Sequence, residues 1–170
     1  MSSNISHRQW TAGILIISDM ASRGERDDIS GDVMVNMLNK AGFKVSKKEI
    51  VPDQKDIISS TLKKWVDDEA LSLILTSGGT GLSPTDVTPQ AMKAVIDYEV
   101  PGIAEAMRAY GMKITPHAML SRAIAGVRKS SLIINLPGSP KAVEENLSVV
   151  LPALPHALEK LNGDMTECAR

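Results

Sequence analysis

The feature that most constrains this chain is a repeated switch in hydrophobic period. Short aliphatic, β-rich runs, "TAGILIIS" (Thr11–Ser18) and "LSLILT" (Leu71–Thr76), alternate with stretches whose apolar residues recur at helical spacing. Runs of that length suit strands covered on both faces, where polar alternation is not needed. Between them, "ERDDISGDVMVNMLNKAG" puts Val33, Met37 and Leu38 on one helical face, with an acidic start and Gly42 as the stop. "FKVSKKEIV" (Phe43–Val51) follows, and its lysines suit the edge of a sheet. "DQKDIISSTLKKWVDDEA" then places Ile57, Ile58, Leu62, Trp65 and Val66 three or four apart, the pattern of an amphipathic helix.

The second half continues the alternation. Thr88 and Pro89 read as the N-cap and first position of a helix carrying Met92, Val95 and Ile96. Another helix is expected over 101–110, ended by Gly111. "AIAGVRKSSLIINL" (Ala123–Leu136) reads as two strands joined near Arg128 to Ser130. Ser139-Pro140 opens a last helical region, in which Leu147, Val150, Leu151, Leu154, Leu158 and Leu161 share a face; Pro152 and Pro155 should kink or split it. This order predicts an α/β layered domain with a mainly parallel sheet flanked by helices. With no linker, repeat or composition shift, residues 1–170 read as one domain, with loose tails at 1–10 and 164–170.

Composition serves mainly to exclude. A net charge of -1 supplies no footprint for nucleic acid or an anionic membrane, and 3% aromatics leave little for a base-stacking platform. Cys168 is the only cysteine, so neither an internal disulfide nor a CxxC motif is available. His7, His117 and His156 lie far apart, which leaves carboxylates as the natural holders of any metal, a hard cation. The N-terminus lacks a signal-peptide pattern and no run is long enough to span a bilayer, so a soluble, cytoplasmic setting is expected.

The polar motifs fall where the predicted strands end. Ser18 and Asp19 follow the first strand, Pro52-Asp53 the second, and Thr76, Ser77, Gly78, Gly79, Thr80 and Gly81 the third. Asn135, Leu136, Pro137 and Gly138 follow the last. In an open parallel sheet, ligands bind outside the carboxyl ends of the strands. The glycine turn is neither a Walker A loop, since no Lys-Ser or Lys-Thr follows, nor a dinucleotide fingerprint, since Pro84 stands where a third glycine belongs. It reads either as plain turn chemistry or as a cradle of amides for phosphate oxygens. Asp53 reads as a helix cap or a site carboxylate, and Asp86 as a turn stabiliser or a site carboxylate. Two aspartates on one rim beside a glycine turn suit Mg²⁺ and a phosphorylated ligand.

Together "ISDMASRGERDD", "VPDQ", "TSGGTGLSPTDVTPQA", "PGIAEAMR", "MLSRAIAGVR" and "LIINLPGSPKAVEENL" resemble the molybdenum cofactor enzymes of the MogA/MoaB type, and the G domains of plant Cnx and gephyrin. The resemblance runs from about Thr11 to Gly163, with the motifs in the family's order. It implies a three-layer molybdopterin-binding fold, usually trimeric, and the transfer of AMP from Mg-ATP to the terminal phosphate of molybdopterin with release of pyrophosphate. A MoeA-like molybdenum insertase is the partner that such a product implies. On this reading Asp53 and Asp86 hold Mg²⁺ and carry the reaction. Gly78 to Gly81 cradle phosphate oxygens, and Ser18, Asp19 and Asn135 to Gly138 line the nucleotide part of the rim. Ser121, Arg122 and Arg128 are further candidates for anion contacts. Where the family often carries an arginine before the second aspartate, this chain has Thr85. The alternatives are a non-catalytic molybdopterin carrier and a Mg²⁺-dependent nucleotide pyrophosphatase.

Overall fold

A computed structural model describes residues 9–165. His7, Cys168 and the outer parts of both expected tails lie outside these residues. Within the expected tails, the Trp10 carbonyl accepts the Lys44 N–H at 2.8 Å and the Asp164 N–H donates to the Glu159 carbonyl at 3.1 Å.

The chain runs β1 (Thr11–Ile17), α1 (Asp19–Ser22), α2 (Ile29–Lys40), β2 (Lys44–Val51), α3 (Lys55–Asp67), β3 (Leu73–Ser77) and α4 (Thr88–Lys93). It continues through β4 (Tyr98–Glu99), α5 (Pro101–Gly111), a 3-10 turn (Pro116–Leu120), β5 (Ala125–Arg128), β6 (Ser131–Leu136), α6 (Pro140–Val150) and α7 (Leu154–Leu161). The six strands form one sheet in the order β2-β1-β3-β6-β5-β4. β2, β1, β3 and β6 are parallel, whereas β5 runs antiparallel to both β6 and β4.

Side-chain alternation along the central strands divides the core in two. Ile14 and Ile16 of β1, Leu73 and Leu75 of β3, and Ile134 of β6 face one side, where they meet Met34, Leu38, Met107 and Leu147 of the helices. Leu15, Ile17, Ile74 and Ile133 face the other side, against Ile58, Leu62, Trp65 and Met92. Helix, sheet and helix thus form three layers, as the pattern of elements predicts.

The differences from expectation are local. On α2 the buried apolar side chains are Met34 and Leu38, with Val33 and Met37 flanking them; on α3, Ile57 is the exposed member of its set. The fourth helix ends at Lys93, so Val95 and Ile96 lie beyond it, and its N-cap is Val87 rather than Thr88. Pro152 splits the last helical region, with the residues 151–153 between α6 and α7 wound as a 3-10 turn. Ser139 does cap α6, its hydroxyl accepting the Ala142 N–H at 3.3 Å. Ser139→Ala should therefore cost about 1 kcal/mol, read as a lower denaturant midpoint at unchanged slope. No helix among the described residues is long and apolar enough to cross a membrane.

Candidate functional site

The parallel strands deliver their turns to one rim. Ser18 follows β1 and caps α1, its hydroxyl accepting the Ala21 N–H at 3.2 Å. Asp19 and Asp53 then hold each other's backbone. The Asp19 N–H donates to Asp53 Oδ2 and the Asp53 N–H donates to Asp19 Oδ1, both at 2.9 Å. Two carboxylates thereby clasp the ends of β1 and β2, which are neighbours in the sheet. Asp53 is not a helix cap, because α3 starts behind Gln54 without a side-chain cap.

Burial raises the Asp53 carboxyl above its usual range; the Asp19 N–H opposes this, and the charges of Asp19 and Asp86 reinforce it. A carboxyl raised by folding disfavours the folded state once it ionises. The penalty is absent below the unfolded value, grows as pH rises toward the folded one, and is constant above it. Asp53→Asn keeps an oxygen for the Asp19 N–H and removes the charge. It should melt at or above the native temperature at pH 7, with the gap closing as pH falls into the ordinary carboxylate range. Melting curves at a series of pH values would check this, and a variant markedly less stable at pH 7 would contradict it.

The glycine turn leaves β3 in a conformation that only glycine enters without strain. Gly78 has φ +109° and Gly79 φ +64°. A Cβ at Gly78 would sit 2.2 Å from the Ile17 carbonyl oxygen, and one at Gly79 2.2 Å from Thr88 Oγ1. The Gly78 N–H already donates to the Leu136 carbonyl at 3.1 Å, so the supply of open amides begins one residue later. Those of Gly79, Thr80 and Gly81 have no acceptor among the described residues.

Beneath the turn, Asn135 Nδ2 donates to Thr76 Oγ1 at 2.9 Å and to the Gly78 carbonyl at 3.3 Å. Thr76, Asn135 and Leu136 are fully buried, so these three support the rim from below and do not line it. Ser77 is also buried, and its hydroxyl ties the turn to the Pro137 carbonyl at 2.8 Å.

Asp86 closes its own turn and also borders the rim cavity. Its Oδ2 accepts the Ser83 N–H at 3.0 Å and its own N–H donates to the Ser83 carbonyl at 2.9 Å, which closes the turn. It also faces Asp53 across a cavity of about 380 Å³. Ser18, Ser77, Gly78, Gly79 and Gly138 line the same cavity, together with the loop Arg26 to Asp28. That loop was legible only as an acidic helix start, and Asp28 does cap α2 through the Gly31 N–H at 2.7 Å. With Asp27, Asp28, Asp53 and Asp86 against Arg26, the cavity is acidic.

A second cavity, of about 290 Å³, opens on the other flank of the glycine turn. Thr80, Gly81, Ser121 and Pro137 border it, and Met107, Ile114 and Leu120 give it an apolar wall that the sequence pattern does not reveal. Ser121 turns its hydroxyl to the Ala123 N–H at 3.3 Å. Arg122 uses its guanidinium on backbone carbonyls of the loop that carries Asp86. Arg128 lies away from the rim. β5 runs against its neighbours, so its carboxyl end reaches the opposite edge, where Arg128 pairs with Asp67 at 2.7 Å. Among the described residues, no group of three or more histidine, cysteine or acidic side chains could close around a metal unaided.

Comparison with known proteins fits this geometry. Residues 13–156 match the family described as a probable molybdopterin binding domain. A molybdopterin adenylyltransferase of Helicobacter pylori J99 is 41% identical over 154 residues, covering 89% of this chain and 88% of that protein. Gephyrin of Dictyostelium discoideum is 43% identical over 165 residues, or 91% of this chain, which spans only 23% of gephyrin's length. The crystal structure of the molybdopterin biosynthesis enzyme MoaB from Thermus thermophilus superposes with a TM-score of 0.87 at 49% identity, covering 92% of this chain and 98% of that one. Fold, rim motifs and relatives agree: the chain belongs to the molybdopterin-binding family of molybdenum cofactor biosynthesis, that of the MogA and MoaB proteins.

Proposed function

We propose that this protein adenylylates molybdopterin. An oxygen of the pterin's terminal phosphate attacks the α-phosphorus of ATP. The bond from that phosphorus to the bridging oxygen breaks, and pyrophosphate leaves with the electron pair. The observation that carries this reading is the meeting of Asp53 and Asp86, from turns after two different strands, at one cavity beside the open amides of Gly79 to Gly81. Transfer of this kind asks a protein mainly to position the reactants and offset charge.

The donor set fits Mg²⁺. An acidic cavity repels a polyphosphate unless a cation accompanies it, and Mg²⁺ takes one or two carboxylates plus substrate phosphates. Asp53 and Asp86 would hold it, and when bound it supplies the positive charge that phosphate oxygens need. The amides of Gly79 to Gly81 would orient those oxygens without adding net charge. The apolar second cavity, across the same turn, suits the ring system of the pterin. The family resemblance adds a homotrimer, which sedimentation would test, and delivery of product to a MoeA-like insertase.

Incubation with Mg-ATP and molybdopterin tests the reaction. AMP-linked pterin and pyrophosphate should form in equal amounts. Pterin that binds and is recovered without AMP would replace catalysis by carriage. Nucleotide hydrolysis independent of pterin would point instead to a pyrophosphatase.

A further inference from the structure

We propose that Arg122 is a positioning residue that acts through Asp86 and touches no substrate. The role in catalysis rests on the AMP-transfer reading above; the mechanical part stands on geometry alone. The loop Gly81 to Asp86 is mostly exposed, and the bonds inside it link only Ser83 with Asp86 and Thr85. None of these fixes the loop against the body of the protein. That attachment comes from Arg122. Its Nε donates to the Gly81 carbonyl at 2.7 Å, its Nη2 to the Asp86 carbonyl at 2.6 Å, and its backbone N–H to the Thr80 carbonyl at 2.9 Å.

One guanidinium therefore spans both ends of the loop. Its donors form a rigid planar fork, so the separation of the two carbonyls is set by covalent geometry, and charge-assisted bonds of this kind are the stronger class. Arg122 is itself held. Arg108 of α5 donates through Nη1 to the Ser121 carbonyl at 3.3 Å and to the Ala123 carbonyl at 2.9 Å, one on each side of Arg122. A chain of contacts thus runs from α5, through residues 121–123, to the backbone of Asp86. The carboxylate at its end is kept in place by the shape of the closed loop. Ser83 fixes one oxygen, and the absence of a Cβ at Gly81, which would lie 2.7 Å from Oδ2, leaves room for it. With Nε and Nη2 turned to carbonyls, this guanidinium is a brace across the loop.

A brace that matters only for stability, a direct substrate contact and a positioning residue predict different results. Arg122→Ala should lower kcat for AMP transfer by about 100-fold, because misplacing a reacting group by about 1 Å costs that much, while KM for ATP moves only a few-fold. Combined with Asp86→Asn it should add no further loss, since the residue through which it acts is already disabled. Amide exchange needs no catalysis: the Ser83 and Asp86 N–H groups should exchange at least about tenfold faster in Arg122→Ala, with the β-sheet amides unchanged. Arg122→Lys, a single-point donor that cannot bridge both carbonyls, should recover less than about tenfold of the lost rate. It also serves for all these measurements if Arg122→Ala does not fold.

Losses that multiply in the double variant would mean that Arg122 meets the substrate itself, which overturns the proposal. Unchanged exchange at Ser83 and Asp86 overturns it too, as does a variant whose kcat is native and whose melting temperature alone has fallen. If the native protein forms no AMP-linked pterin, the functional reading fails on its own, and the exchange data still decide whether Arg122 holds the loop.

Discussion

Asp86→Asn is expected to lower the rate of AMP transfer by about a hundred- to a thousand-fold, the usual cost of removing one preorganised electrostatic group. The substitution is nearly isosteric. Its amide oxygen can still accept the Ser83 N–H, and the backbone bond from residue 86 to the Ser83 carbonyl is untouched. The loop should therefore keep its shape and the protein its melting temperature, which separates a loss of chemistry from a loss of fold. The change also relieves Asp53, whose carboxyl is raised in part by the charge of Asp86. Two readouts follow. The dependence of rate on Mg²⁺ should shift to higher concentration, while pterin binding stays close to native. A variant that transfers AMP at the native rate would remove Asp86 from the mechanism.

Gly78→Ala should produce the largest structural effect of any single methyl group at the site. The residue is buried, adopts φ +109°, and would place its new Cβ 2.2 Å from the Ile17 carbonyl oxygen. That oxygen is backbone, so no rotamer change relieves the clash; either the end of β1 or the turn must move. Backbone strain of this kind plus a displaced strand end should cost about 3 kcal/mol. Gly24→Ala is the matched control. Gly24 also has positive φ, at +73°, but nothing lies within 4 Å of its added Cβ. It should lose only about 1 kcal/mol, the left-handed backbone term. Chemical denaturation of both proteins measures the difference, and equal losses would show that close packing at Gly78 is unimportant. AMP transfer should fall with Gly78→Ala and not with Gly24→Ala.

The layers of the fold were legible because they follow from hydrophobic period. Ile58, Leu62, Trp65 and Val66 had to share a face, and the lysines of β2 suited the edge that it occupies. The rim was legible through a rule of topology, which is why Asp53 and Asp86 could be paired from 33 positions apart. What escaped depends on where side chains point. Thr76, Asn135 and Leu136 are polar or terminal in sequence, yet their strand positions turn them into the interior. Arg122 and Arg128 look alike in a sequence, and only the antiparallel course of β5 sends Arg128 to the far edge. β4 has just two residues, too few for a period, and the apolar second cavity is assembled from α5, a 3-10 turn and α6, which no local motif records.

The edges of the sheet bear on how copies of this chain can meet. One outer strand, β2, carries the exposed lysines Lys44 and Lys48, one on each side of the sheet because an irregularity shifts its register, and the other, β4, offers only Tyr98 and Glu99. A lysine-studded edge and a very short one both discourage strand-to-strand docking between molecules. Self-association that continues the sheet is therefore disfavoured from either side. An ordered assembly has to be built from helix and loop surfaces, and partial unfolding that bared β1 or β3 would remove the protection and open the route to aggregation.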